Sequence, residues 1–263
     1  MKKYFVIGDP IDHSLSPKLH NYWLKENNIQ AIYDKKKINK DEIKNIIKDV
    51  KDEKIHGLNV TVPFKNLVLP FLDQLTPKAI MTQSVNTIFK EADEVIGDNT
   101  DIGGFDLSLK YFSEDLKNKK IFILGAGGVT SSIILALKNS GVSKIFLSNR
   151  TKEKAENLKK IHKDLEIIEW GRITDFDIII NTTSLGLKEE DEIKLDLSKL
   201  NSNKLFYDVI YNPDKTKFLE KAEKLGNRIL NGKMMFIYQA QLSFKIWHDV
   251  LPEVNDKVIK ILN

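Results

Sequence analysis

The chain has 263 residues, about two domains' worth, with 41% hydrophobic and 30% charged residues and a net charge of +4. No apolar run approaches the roughly 18 residues of a membrane span, and the amino-terminal segment reaches Gly8-Asp9-Pro10 too soon for the core of a signal peptide; with no cysteine, disulfides, a thiolate nucleophile and Cys-based metal sites are excluded. Only three of the 41 basic residues are arginine, and lysines alternate with Asp and Glu like a solvated surface, so a cytoplasmic globular protein without nucleic-acid or membrane partners is expected.

Apolar runs alternate with helical patterns, the signature of βαβ units and parallel sheets. Strands are expected at Tyr4 to Ile7, Ala31 to Tyr33 and Gly57 to Val62, with helices at Ser16 to Asn27 and Lys40 to Val50. Helical stretches follow around Leu67 to Leu72 and Pro77 to Ser84, then a hairpin from Asn86–Phe89 to Val95–Gly97. After a helix over Ile102 to Phe112, the apolar strand Lys120 to Leu124 runs into Gly125-Ala126-Gly127-Gly128 and a helix through Leu137. Further strands are expected at Lys144 to Leu147, Glu166 to Ile168, Ile178 to Ile180 and Leu205 to Val209, and helices at Lys152 to His162 and Lys215 to Leu225. A long apolar helix, Met234 to Val250, and a shorter one close the chain. There is no internal repeat or low-complexity linker, and the pattern breaks near residue 101.

Glycines between a buried strand and a helix let backbone approach a pyrophosphate at the helix N-terminus; Thr130 replaces the last glycine of the full dinucleotide fingerprint, and a structural tight turn is the lesser alternative reading of the segment. The next strand ends at Ser148-Asn149-Arg150-Thr151, where an NAD-binding fold carries an acidic residue for the ribose 2′-hydroxyl. Arginine there, with Lys152 and Lys154, suits a 2′-phosphate and hence NADP. The five histidines form no metal-ligating pair, so no metal is expected. Taken singly, the other polar candidates stay ambiguous: Ser14, Ser16 and Asp101 also read as helix caps, Asn59 and Asn86 as loop supports, Lys65 as one lysine of many and Gln239 as a plain helix residue.

Together these segments resemble the shikimate dehydrogenase family over essentially the whole chain. Ser14-Leu15-Ser16-Pro17-Lys18-Leu19-His20-Asn21 is similar to the family motif whose two serines hold the substrate carboxylate. Asn59-Val60-Thr61-Val62-Pro63-Phe64-Lys65 resembles its most diagnostic segment, which implies Lys65 as the catalytic lysine and Asn59 and Thr61 at the substrate. Val85-Asn86-Thr87 and Gly97-Asp98-Asn99-Thr100-Asp101-Ile102-Gly103-Gly104-Phe105 imply Asn86 and Asp101 on the ring hydroxyls, with Asp101 also catalytic. The resemblance continues through Asn181-Thr182-Thr183-Ser184-Leu185-Gly186, Tyr207-Asp208-Val209-Ile210-Tyr211-Asn212-Pro213 and Asn231-Gly232-Lys233-Met234-Met235 to Gln239-Ala240. It places Tyr211 and Gln239 on substrate, and Gly125, Ala126, Gly127, Gly128, Val129, Asn149, Arg150, Thr151, Lys154, Thr182, Ser184, Val209 and Gly232 at the cofactor.

The implied fold is α/β with two domains: a Rossmann-like NADP-binding domain with a parallel sheet, residues 102–233, and a discontinuous α/β substrate-binding domain with a mostly parallel sheet, residues 1–101 plus 234–263. The implied activity is NADPH-dependent, reversible reduction of 3-dehydroshikimate to shikimate on the route to chorismate and the aromatic amino acids, by a monomer or homodimer. In such a reaction Lys65 donates to the developing alkoxide and Asp101 holds it. A quinate/shikimate dehydrogenase, which often prefers NAD, fits Arg150 less well. A non-catalytic ligand sensor fits poorly with Lys65 and Asp101 kept together, and a folate one-carbon dehydrogenase lacks the serine motif.

Overall fold

The computed structural model describes residues 1–197 and 202–262, which form two compact units, residues 1–104 with 237–263 and residues 105–236. Within the sequence-derived domain ranges, residues 198–201 and 263 lie outside the described residues.

The first unit opens with β1 (Lys2–Gly8), α1 (Ser16–Glu26), β2 (Ala31–Lys37), α2 (Ile43–Lys51) and β3 (Gly57–Val60). It continues with β4 (Gln74–Leu75), α3 (Pro77–Thr82), β5 (Thr87–Glu91), β6 (Glu94–Asp98) and the start of α4 (Asp101–Tyr111). Its sheet has the order β2-β1-β3-β5-β6-β4, parallel except where β5 runs antiparallel to β3 and β6. In α2 the spacing of Ile43, Ile46, Ile47 and Val50 puts all four on one face, where they join Ile7, Leu58, Ile88 and Val95 in the core. The helix expected from Lys40 begins instead with a 3-10 turn over Lys40–Glu42, because Asn39 and Glu42 close a reciprocal cap there. The stretch around Leu67 to Leu72 is only a 3-10 turn, Leu69–Phe71, with Pro70 removing one amide donor.

The second unit carries β7 (Lys120–Leu124), α5 (Thr130–Asn139), β8 (Lys144–Ser148), α6 (Lys152–Ile161), β9 (Glu166–Ile167), β10 (Ile178–Asn181), β11 (Leu205–Asp208), α7 (Lys217–Lys224) and β12 (Arg228–Leu230). All six strands are parallel, in the order β12-β11-β10-β7-β8-β9. A parallel sheet covered on both faces needs unbroken apolar strands, and Ile121, Phe122, Ile123 and Leu124 are all 0% exposed. The strand order reverses beside β7, so the crevice for a ligand opens at the carboxyl ends of β7 and β10. β4 and β12, two and three residues long, are too short for their periodicity to show in the sequence.

The chain ends with α8 (Lys233–His248) and α9 (Asp256–Lys260). The edges of the units fall inside α4 and α8, about one turn beyond the starts of these helices. Gly104 belongs to the first unit because it packs on α8: a Cβ there would lie 2.8 Å from the Gln239 amide nitrogen. The first turn of α8 belongs to the second, where Lys233 pairs with Asp214 at 2.6 Å and Phe236 stacks on Tyr211 at 4.4 Å.

Candidate active site

In the first unit, β3 ends at Val60, and the Thr61 amide makes one last bond to the Ile7 carbonyl at 2.9 Å before the chain turns. That turn sets Lys65 against the start of β5, its carbonyl accepting from the Val85 amide at 2.9 Å. The Lys65 ammonium meets Asp101 Oδ2 at 2.5 Å, with 9% of Lys65 and 4% of Asp101 exposed. A charge pair this dry persists only if its other valences are met. Asp101 Oδ1 accepts from Asn86 Nδ2 at 2.9 Å, while the cap of α4 is left to Asn99, whose Oδ1 accepts from the Ile102 amide. The Asp101 carboxylate is therefore turned to Lys65 and Asn86, away from its own helix.

Asn86 is itself fixed on both ends. Its Nδ2 also reaches Thr100 Oγ1 at 2.9 Å and Gln239 Oε1 at 3.3 Å, and its Oδ1 accepts from the Thr100 amide at 2.8 Å. Asn59 donates to the Asn86 carbonyl and to Ser243 Oγ, and accepts the Tyr33 hydroxyl at 2.7 Å. Both protons of the Asn59 amide are thus committed inside the protein, which leaves a lone pair on Oδ1 for a ligand. Thr61 is half-buried over Gly8, where a Cβ would lie 2.5 Å from Thr61 Cγ2. Ser14 precedes α1 and accepts from the Ser16 amide at 3.3 Å; Ser16 opens the helix, 6% exposed. All of these residues lie in the first unit. Tyr211 lies in the second, half-buried and stacked on Phe236.

In the second unit the glycine loop leaves β7 at the crevice. Gly125 has φ +111° and lies so close to β10's end that a Cβ would meet Thr182 Oγ1 at 2.7 Å, a place only glycine fills without strain. Gly127 is exposed, and a Cβ there would meet only the Thr182 carbonyl oxygen, at 3.8 Å, so the backbone is open to close approach. Thr130, where the fingerprint has glycine, accepts from the Gly127 amide at 3.0 Å and pairs with Thr182 at 2.9 Å; its hydroxyl braces the loop. Asn149 accepts from the Ala126 amide at 3.0 Å and donates to the Thr151 carbonyl, tying the end of β8 to the same loop. Gly128 and Val129 lead half-buried into α5; Arg150, Thr151, Lys154 and Ser184 are exposed. An open glycine backbone, a helix N-terminus and an exposed guanidinium fit a phosphorylated dinucleotide.

Val209 and Gly232 lie against each other in the same unit: a Cβ on Gly232 would stand 2.0 Å from the Val209 carbonyl oxygen. Beside them Asp208 is 0% exposed and accepts from Thr216 Oγ1 at 2.7 Å and from the Ile210 amide and Asn181 Nδ2, each at 3.0 Å. Burial pushes its carboxyl up to about 6 against these three donors. Sequence reasoning assigned no role to Asp208, Tyr33, Thr87, Thr100, Phe236 or Ser243. Thr87 and Thr100 adjoin motif residues, and Ser243 follows Gln239 by four positions on one helix, the spacing of a shared face.

Residues 6–88 match the family model of the shikimate dehydrogenase substrate binding domain, and residues 106–211 that of shikimate / quinate 5-dehydrogenase. A shikimate dehydrogenase (NADP(+)) of Pelagibacter ubique is 58% identical over 264 residues, 100% of both chains. The crystal structure of shikimate dehydrogenase from Aquifex aeolicus is 38% identical with a TM-score of 0.91, over 100% of this chain and 97% of that one. The shikimate 5-dehydrogenase of Thermus thermophilus, solved with NADP(H) and shikimate, is 28% identical with a TM-score of 0.89, over 100% and 97%.

Proposed function

The chain belongs to the shikimate dehydrogenase family, and we propose that Lys65 and Asp101 handle the proton of its reaction while the glycine loop and Arg150 hold its cofactor. It is an NADP-dependent oxidoreductase of CH–OH groups that interconverts 3-dehydroshikimate and shikimate, within the biosynthesis of chorismate and the aromatic amino acids. The first unit, residues 1–104 with 237–263, is the substrate unit, and the second, residues 105–236, the cofactor unit. On this reading the protein works in the cytoplasm as a monomer or homodimer.

The observation that carries the assignment is the buried Lys65–Asp101 pair at 2.5 Å with Asn86 on the other carboxylate oxygen. NADPH, when bound, supplies the hydride to the ring carbon. The proton that the carbonyl oxygen needs comes from the Lys65 ammonium, and Asp101 holds that ammonium in place and compensates its charge. In the reverse direction the Lys65 amine takes the hydroxyl proton and Asp101 stabilises the ammonium that forms. Asn86 contributes by fixing Asp101. Ser14 and Ser16 offer neutral hydroxyls to the substrate carboxylate, Thr61, Gln239 and the Asn59 oxygen hold ring hydroxyls, and Tyr211 is assigned to the substrate as the family resemblance implies. Around the cofactor, Gly125, Ala126, Gly127, Gly128 and Val129 take the pyrophosphate. Asn149, Arg150, Thr151 and Lys154 take the 2′-phosphate, and Thr182, Ser184, Val209 and Gly232 line the nicotinamide half.

The test is NADPH oxidation with 3-dehydroshikimate against 3-dehydroquinate under the same conditions. Faster turnover of 3-dehydroshikimate is expected; turnover of 3-dehydroquinate alone would overturn the substrate assignment.

A further inference from the structure

Ser243 lies on α8 with 0% exposure, one turn beyond Gln239, and four polar atoms surround its hydroxyl. These are the Gln239 carbonyl oxygen at 3.0 Å, Asn59 Nδ2 at 3.0 Å, Thr87 Oγ1 at 2.7 Å and Thr100 Oγ1 at 3.1 Å. A hydroxyl has one proton and two lone pairs. The carbonyl can only accept, so the Ser243 proton goes to Gln239. Towards the rest of the cluster Ser243 is then an acceptor, and its two lone pairs take the Asn59 amide and one threonine hydroxyl. The other threonine is left to donate to Asn86 Oδ1, which stands 3.1 Å from Thr87 and 3.2 Å from Thr100.

We infer that Ser243 is a positioning residue: by accepting from Asn59 and a threonine, it fixes the direction of the hydrogen bonds that run through Asn86 to Asp101. The inference rests on the reading of Lys65 and Asp101 as the proton-handling pair. Without the Ser243 oxygen, a threonine hydroxyl loses its acceptor in a dry site and turns towards Asn86 Oδ1, while the Asn59 amide is left to the Asn86 carbonyl and to Thr87 Oγ1 at 3.3 Å. Asn86 then holds Asp101 less firmly, and the Lys65 ammonium is less well aimed. Ser243 touches neither substrate nor cofactor in this scheme.

The experiment compares Ser243→Ala and Ser243→Cys with wild type, measuring steady-state kinetics on 3-dehydroshikimate and, separately, NADPH affinity by fluorescence titration. Cysteine fills the space but accepts hydrogen bonds weakly. Both variants should lose about three- to tenfold in kcat, the worth of one buried neutral hydrogen bond, with NADPH affinity within about twofold of wild type. Two results overturn the inference: both variants within about twofold of wild-type kcat, or Cys behaving as wild type while Ala does not, which would make Ser243 a packing residue. Wild type inactive on 3-dehydroshikimate would remove the functional reading and this inference with it; active wild type with unchanged variants would remove the inference alone.

Discussion

An ammonium group on a four-carbon stem is ordinarily mobile, and the chemistry assigned to Lys65 depends on its losing that freedom. Its backbone is tied to Val85, its amine to Asp101 at 2.5 Å, and Asp101 in turn to Asn86. A similar economy holds at Gly232, where the obstacle is backbone and cannot rotate away: a Cβ would stand 2.0 Å from the Val209 carbonyl oxygen and 2.5 Å from its carbon. Gly232→Ala must therefore displace one of the two segments. It should cost about 1–3 kcal/mol of stability and weaken NADPH binding by roughly tenfold, read from thermal unfolding and a fluorescence titration. Unchanged values for both would show that the Val209 segment gives way freely. Charge pattern alone does not single out Lys65 among the many lysines; its neighbours in the NVTVPFK segment do. Tyr33 and Ser243 were not legible at all, because each meets Asn59 across 26 and 184 residues of sequence and no local pattern records such a meeting.

Among elements, the ends of β7 and β8 were the most legible, since unbroken apolar strands followed by glycine or by Asn-Arg-Thr can be read directly. What the sequence left open was whether the glycine loop is only a tight turn. Its backbone is open at Gly127 and closed at Gly125, so it is a turn at one glycine and an approach surface at the other. Arg150 stands exposed just beyond β8, with Lys154 near it in sequence. Arg150→Ala should lower kcat/KM with NADP about ten- to a hundredfold, leave NAD nearly unchanged, and make the preference less sensitive to salt. Equal proportional losses for the two cofactors would remove Arg150 from 2′-phosphate recognition. The elements read least well were β4, β12 and the turn at Leu69–Phe71, all too short to show a period.

Each unit has its own sheet and core, and acid stability draws on both. His20 and His248 belong to the first unit and His162 to the second. Burial lowers His20 to about 3 and the other two to about 4. Below pH 6.5 the unfolded chain binds protons that these folded rings refuse, so stability falls as the pH drops from about 6.5 to 4, by up to about 1.4 kcal/mol per pH unit for each ring. Asp208 acts in the opposite sense between about 6 and 3.8, because there the folded state binds the proton first; three rings outweigh one carboxyl. Neither ring nitrogen of His20 has a hydrogen-bond partner among the described residues, and the ring stacks on Tyr33 at 4.1 Å. His20→Phe keeps the stack and should flatten the fall in Tm between pH 6.5 and 4, while an unchanged slope would place acid sensitivity elsewhere. The alternation of strands and helices made the α/β class legible, and the break near residue 101 made two units so. The edges inside α4 and α8 were not, because a helix that passes from one unit to the next keeps a single period throughout.

If Lys65 moves the proton while other residues hold the cofactor, Lys65→Ala separates the two roles, with turnover of 3-dehydroshikimate and NADPH affinity measured on the same preparation. The kcat should fall by about 10² to 10⁴ with NADPH binding nearly untouched. Turnover within about threefold of wild type would remove Lys65 from the proton transfer.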